Sequence, residues 1–180
     1  MRFLNKQEAR LLFEKFAQFI GDDVKPLLER EGSTWTFGVH KNRVYYMKQD
    51  LYNHCKNFGE KCLLSAGVYI GKFTKKGRFF FNITALPVIS PLAKYKVWIK
   101  SSAEVGFLYG QNIMKEGVEN IQEGTPRGAG VVVYNANNMP IGLGVAVQSS
   151  NQLHRCLPTI MAVARIGDIG EYLRSENTLS

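Results

Sequence analysis

The sequence predicts an α+β chain of two domains: an N-terminal α/β domain with a mainly antiparallel sheet (residues 1–92), then a small β-barrel or sandwich (residues 93–180). Three observations lead there. One strongly amphipathic helix is followed by hairpin-like β runs. A stretch carrying Pro87 and Pro91 interrupts the pattern near residue 90. Beyond it come short apolar runs, frequent glycines and little helix, which is the pattern of a small all-β unit.

The first helix is marked by Asn5 as its cap and Glu8 in capping-box position. Ala9, Leu12, Phe13, Phe16, Phe19 and Ile20 then fall on one face, and Gly21 closes it. Trp35–Val39 and Val44–Met47 read as paired strands around a turn at 40–43, and 50–58 as a short helix stopping near Gly59. Ala66–Phe73 and Arg78–Thr84 form a second hairpin, in which Gly77 supplies the one left-handed residue. Leu86–Ala93 is a bent helical connector and the best place for a domain boundary. Strands are then expected at 95–99, 131–134, 141–147 and 160–163, with a helical turn at 104–109. Gly142 and Gly144 would let a strand bend or admit another backbone closely.

A chain of 180 residues, 45% hydrophobic and 21% charged, can bury a core and is not disordered. The start lacks an apolar signal segment. The longest nearly apolar stretch, Met139–Val147, is about half of the ~20 residues that span a bilayer. Cys55, Cys62 and Cys156 are odd in number and irregular in spacing, which argues against a disulfide framework. The expectation is a soluble intracellular protein.

The net charge of +8 is unevenly placed. Residues 1–90 carry 15 basic and 8 acidic side chains, residues 91–180 carry 8 and 7. No acid falls between Glu60 and Glu104, a window holding Lys61, Lys72, Lys75, Lys76, Arg78, Lys94, Lys96 and Lys100. Such a balance points to a polyanion, nucleic acid before membrane, with a merely solvated basic face as the alternative.

Catalytic and metal chemistry find no foothold. The three histidines (40, 54, 154) stand at no metal-ligand spacing and read as surface groups or satisfied core groups. Gly142-Leu143-Gly144 lacks the third glycine of a dinucleotide loop, and no phosphate loop or calcium loop is present. Asp168 and Glu171 are read as a capped last turn, with Asp168 as the cap, rather than as an acid/base pair. No cofactor and no metal are expected.

Binding chemistry is concentrated in Lys72-Phe73-Thr74-Lys75-Lys76-Gly77-Arg78, where four cations surround a tight turn. Phe73, Phe79, Phe80 and Phe81 are interleaved with them, and because side chains alternate along a strand one face can bury phenylalanines while Lys and Arg reach phosphates from the other. Lys94, Lys96 and Lys100 share parity and would extend that surface toward phosphates. Tyr45, Tyr46, Tyr95 and Tyr109 are candidates for stacking on unpaired bases, with core packing as the alternative for each.

Several longer runs carry a resemblance. Arg43-Val44-Tyr45-Tyr46, Gly71-Lys72-Phe73-Thr74-Lys75, the 93–100 run AKYKVWIK, Phe107–Asn112, Pro140–Ala146 and Asp168–Arg174 are similar to segments of the Nip-seven family of large-subunit biogenesis factors, in register from Met1 onward. The resemblance implies an N-terminal α/β domain followed by a PUA domain, a small mixed β-barrel. It also implies a non-enzymatic factor in nucleolar pre-rRNA processing and large (60S) subunit assembly. Its partners would be pre-rRNA, the pre-60S particle and other nucleolar assembly factors, an rRNA methyltransferase among them. The implied locations are nucleus and nucleolus, with the cytoplasm besides; no membrane is involved, and monomer is the default state. After the glycine-bearing strand, where the family is basic, this chain has Gln148 and keeps only His154 and Arg155 as groups able to carry positive charge. The RNA-binding candidates are therefore Lys72, Lys75, Lys76, Arg78, Lys94, Lys96, Lys100, His154 and Arg155. A protein–protein adaptor with little RNA affinity of its own is the other reading.

Overall fold

The computed structural model of the protein describes residues 1–30, 32–59 and 62–176. After a short strand β1 (Arg2–Phe3), helix α1 (Lys6–Ile20) starts at a reciprocal cap. The Glu8 amide donates to Asn5 Oδ1 at 2.7 Å and the Asn5 amide donates to the Glu8 carboxylate at 2.9 Å, satisfying two of the donors that a helix start leaves open. Arg2 grips the same carboxylate through both terminal nitrogens at 2.7 and 2.6 Å. These Arg2 hydrogen bonds hold the Glu8 carboxyl below its ordinary range. The contribution is thus present above the unfolded carboxylate value of about 4.3 and lost as pH falls through the lower folded one. Asn5→Ala should cost about 1 kcal/mol in urea denaturation, and Glu8→Gln should flatten the acid limb of the stability profile.

The first half continues through α2 (Lys25–Leu28), β2 (Glu29–Arg30), β3 (Ser33–His40), β4 (Arg43–Lys48), α3 (Gln49–Cys55), β5 (Val68–Phe73) and β6 (Phe79–Phe81). These strands form one antiparallel sheet in the order β1-β3-β4-β5-β6, with β2 paired to β3. Lys41 and Asn42, both left-handed (φ 46 and 66), make the two-residue turn between β3 and β4. Gly77 (φ 72) closes the β5–β6 turn. Helix α1 lays Leu12, Phe16 and Phe19 against Phe37, Val44, Tyr46, Ile70 and Phe79 on one face of the sheet. On the other face Tyr45, Met47 and Tyr69 pack under Tyr52 of α3.

The connector is bent, as the sequence predicts: a 3-10 turn (Ile83–Ala85), α4 (Leu86–Ile89) and a second 3-10 turn (Ser90–Leu92). It is no solvated linker. Ile83, Leu86, Val88 and Ile89 lie in the same core as α1, together with Val132, Tyr134 and Leu143 of the second half.

That half comprises β7 (Lys96–Ile99), α5 (Ser101–Leu108), β8 (Ile113–Met114), β9 (Val118–Ile121), β10 (Gly130–Tyr134), β11 (Pro140–Ala146), α6 (Ser150–Leu153), β12 (Met161–Asp168) and α7 (Glu171–Arg174). The sheet order is β8-β12-β11-β10-β7-β9, with β7 and β10 parallel, so the sheet is mixed. Residues 113–121 pair with β12 at one end and with β7 at the other, which closes the sheet into a barrel through a single chain segment. β10 is buried on both sides, with Val131 and Val133 in the barrel core and Val132 and Tyr134 facing the first half. Its unbroken apolar run follows from that. Gly142 lies against the Phe107 ring and the Gly167 carbonyl, where an added Cβ would come within 2.6 Å of each.

Asp168 is not a helix cap. The residue preceding α7 is Gly170, which makes no side-chain cap. The Asp168 carboxylate, fully buried, is instead taken by Arg165 at 2.7 Å and by Arg174 at 3.0 and 3.1 Å. A buried carboxylate requires charged partners, and the sequence pattern did not reveal them. Among the described residues no helix is long and apolar enough to cross a membrane.

Candidate nucleic-acid interface

The β5–β6 hairpin turns its cations outward and sorts its phenylalanines by alternation. Phe73 and Phe79 are buried and Phe81 packs beside them, edge-on to Phe16 and Phe19 of α1. Phe80 turns outward and is 52% exposed. A bulge explains the spacing: Arg43 pairs with Lys72, Val44 with Gly71 and Tyr45 with Tyr69, leaving Ile70 as the extra residue. Lys72 therefore shares a face with Arg43 and, across β6, with Phe80. The turn itself is fixed by the Thr74 amide donating to the Arg78 carbonyl at 2.8 Å and the Gly77 amide donating to the Thr74 carbonyl at 2.9 Å. Lys72, Lys75, Lys76 and Arg78 are all exposed, and none forms a salt bridge among the described residues.

The remaining candidates do not join this hairpin in one uniform stripe. The Lys94 amide donates to the Phe19 carbonyl at 2.8 Å, and its side chain passes over Gly21. Its ammonium group lies 5.4 Å from the Tyr95 ring centre. Because the last turn of α1 has no basic residue of its own, Lys94 supplies a cation near the negative end of that helix. Lys96 sits 5.7 Å over the Tyr134 ring, at the seam between the halves. Lys100 is exposed beyond the end of β7, its amide donating to Gly117. His154 and Arg155 are exposed just after α6. That loop is anchored by Lys115, whose ammonium donates to the His154 carbonyl at 3.1 Å and to the Cys156 carbonyl. Lys115, absent from the sequence-based candidates, thus ties the His154 loop to the 115–117 turn that also meets Lys100.

The tyrosines divide sharply. Tyr45 and Tyr46 are buried and cannot stack on a base, whereas Tyr95 is half-buried and Tyr109 exposed. The Tyr46 hydroxyl donates to the Leu27 carbonyl at 2.5 Å, and burial pushes its pKa up. Burial likewise raises the Tyr69 phenol, against the opposing influence of Arg43, whose guanidinium lies 5.3 Å over the ring. His40 also departs from expectation. It is buried, yet its Nε2 has no hydrogen-bond partner among the described residues, so it is neither a surface group nor one satisfied by them.

Residues 1–83 match the family described as NIP7/UPF0113, pre-PUA domain, and residues 95–177 match the UPF0113 PUA domain. The 60S ribosome subunit biogenesis protein NIP7 homolog of Sus scrofa is 42% identical over 180 residues, covering 100% of both chains. The homolog of that name from Dictyostelium discoideum is 40% identical over 179 residues, 99% of this chain and 100% of its own. A conserved PUA domain protein from Thermoplasma acidophilum superposes with a TM-score of 0.60 over 99% of each chain at 15% identity, which shows a shared fold. With both halves matched in order and relatives alike along their whole length, the chain belongs to the NIP7/UPF0113 family.

Proposed function

We propose that this protein is a non-enzymatic RNA-binding assembly factor of the large (60S) ribosomal subunit, contacting pre-rRNA through the basic β5–β6 hairpin and the junction beside it. The observation that carries this reading is the set of four exposed cations, Lys72, Lys75, Lys76 and Arg78, without salt bridges among the described residues. Surface cations without salt bridges around a hydrogen-bonded turn suit phosphate contacts, which give affinity and salt dependence without reading sequence. Lys94 and Lys96 extend the positive field across the seam, and Lys100, His154 and Arg155 add a further contact on the barrel. Relatives named as 60S biogenesis proteins support the cellular role and the absence of catalysis. On this reading the protein works as a monomer in nucleus and nucleolus, on the pre-60S particle and beside other assembly factors such as an rRNA methyltransferase. The domain boundary proposed at 92/93 falls at the end of the buried connector.

An adaptor role is favoured by one specific feature. Val105 of α5 and Tyr109 just past its C-terminal end, four residues apart, are exposed, as are Tyr172 and Leu173 of α7. Exposed apolar groups of this kind mark protein contacts when they form a patch. The two readings separate in one experiment: binding of the full-length protein to labelled single-stranded RNA across a salt series. Tight binding that falls steeply with salt supports direct RNA contact. No binding at moderate salt overturns it and leaves the adaptor.

A further inference from the structure

On the face of the first sheet away from α1, one residue from each of four strands falls into a row. His40 stands opposite Arg43, Arg43 opposite Lys72, and Lys72 opposite Phe80. At the β3 end of the row opens a pocket of about 510 Å3 lined by His40, Lys41, Arg43, Tyr45, Leu64 and Ser65. Two residues of these walls, His40 and Tyr45, each hold a buried polar atom with no partner among the described residues, Nε2 and the hydroxyl, and are only 4% and 1% exposed. Buried polar atoms in folded proteins are nearly always paired, so two orphans in residues of one pocket wall mark it as a place for a polar ligand. Each polar side chain that lines the pocket among the described residues can donate a hydrogen bond, and none is a carboxylate. That donor set suits an anion with several acceptor oxygens.

At the other end of the row, three strand spacings or about 14 Å away, Phe80 exposes its ring beside Lys72. An exposed aromatic next to a cation on an open sheet is a platform for an unpaired base. The exposed cations of the Lys75–Lys76 turn stand one residue pair beyond Lys72 and Phe80 on the same hairpin. A phosphopeptide would use the pocket but has no evident need of the ring.

We propose that this face binds a single-stranded RNA segment running across the strands, with one backbone phosphate in the His40–Tyr45 pocket and one base stacked on Phe80. Lys72 meets the phosphate between them. The inference rests on the RNA-binding reading above and specifies the surface that performs it.

The test uses full-length protein, a labelled U-rich single-stranded RNA, and the variants Tyr45→Phe and Phe80→Ala. Tyr45→Phe deletes a hydroxyl that has no partner among the described residues, so thermal stability should hold or rise while RNA affinity falls about tenfold. Phe80→Ala, at an exposed position, should also cost about tenfold in affinity. Neither variant should change the salt slope, since neither removes a charge. A second arm replaces RNA with inorganic phosphate. If phosphate binds in a Tyr45-dependent way while RNA affinity is unaffected by both variants, the pocket serves a free anion and the RNA platform is overturned. Wild-type RNA affinity in both variants overturns the platform and leaves the RNA-binding reading intact. Failure of the wild-type protein to bind RNA overturns both. A large loss of stability in Tyr45→Phe shows that the hydroxyl is partnered after all, and also sinks the proposal.

Discussion

Phe19→Ala should destabilise the whole protein by about 4 kcal/mol, the middle of the range for emptying a large aromatic site. Phe19 is almost fully buried at the end of α1, edge-on to Phe81 with ring centres 5.5 Å apart. Its ring also lies against Gly130 at the start of β10, where an added Cβ would come within 2.6 Å of it. One side chain therefore fills space between the two halves. Because Val132, Tyr134 and Leu143 share their core with α1 and the connector, both halves should melt together. The variant should show one calorimetric transition, lowered by about 8–16 °C. Two transitions, with the second unmoved, would mean that the shared core does not couple the halves. The same packing has a practical consequence: cutting the chain at residue 93 strips the cover from Val132, Tyr134 and Leu143. RNA binding is best measured on the intact protein.

Asp168→Ala carries the second large effect, about 3 kcal/mol. The carboxylate is fully buried and organises two guanidinium groups, Arg165 at 2.7 Å and Arg174 at 3.0 Å, while Arg165 also reaches Glu171 at 2.5 Å. Removing the acid leaves two arginines facing each other in a partly closed space. The cost sits at the low end of the range for broken buried pairs because both arginines retain some solvent and Arg165 keeps Glu171. A melting temperature lowered by about 6–12 °C is expected. A variant that melts within a degree of the wild type would show that the network adds nothing to the fold.

Much of this architecture is written in local pattern. The capping box at Asn5 and Glu8, the apolar stripe of α1, Gly77 in its turn and the bent 86–93 connector each depend on neighbours within a few residues, so periodicity and turn chemistry find them. What the sequence hides is long-range. The parallel pairing of β7 with β10 and the closure of the barrel by residues 113–121 join segments whose apolar runs carry no partner label. Asp168 looked like a cap because its arginine partners lie three and six residues onward or back in a spacing no motif marks. On the candidate site, the hairpin cations were legible because alternation and a charge run need only local sequence. The placing of Lys72 on the same face as both Arg43 and Tyr69 follows from the bulge at Ile70, which leaves no signature in residue types, and the burial of Tyr45 follows from the packing of α3 over that face. Lys115 escaped notice because its role is to hold the carbonyls of a distant loop.

The most direct measurement is the salt dependence of RNA binding by the full-length protein and by the triple variant Lys75→Gln, Lys76→Gln, Arg78→Gln. Removing three phosphate contacts should reduce the slope of log K against log salt by about 2. Taking 1 M salt as the common reference, that slope change means an affinity about a hundredfold weaker at 0.1 M. Unchanged affinity and slope in the triple variant, with the wild type binding well, would contradict the account and move the electrostatic contact off the hairpin.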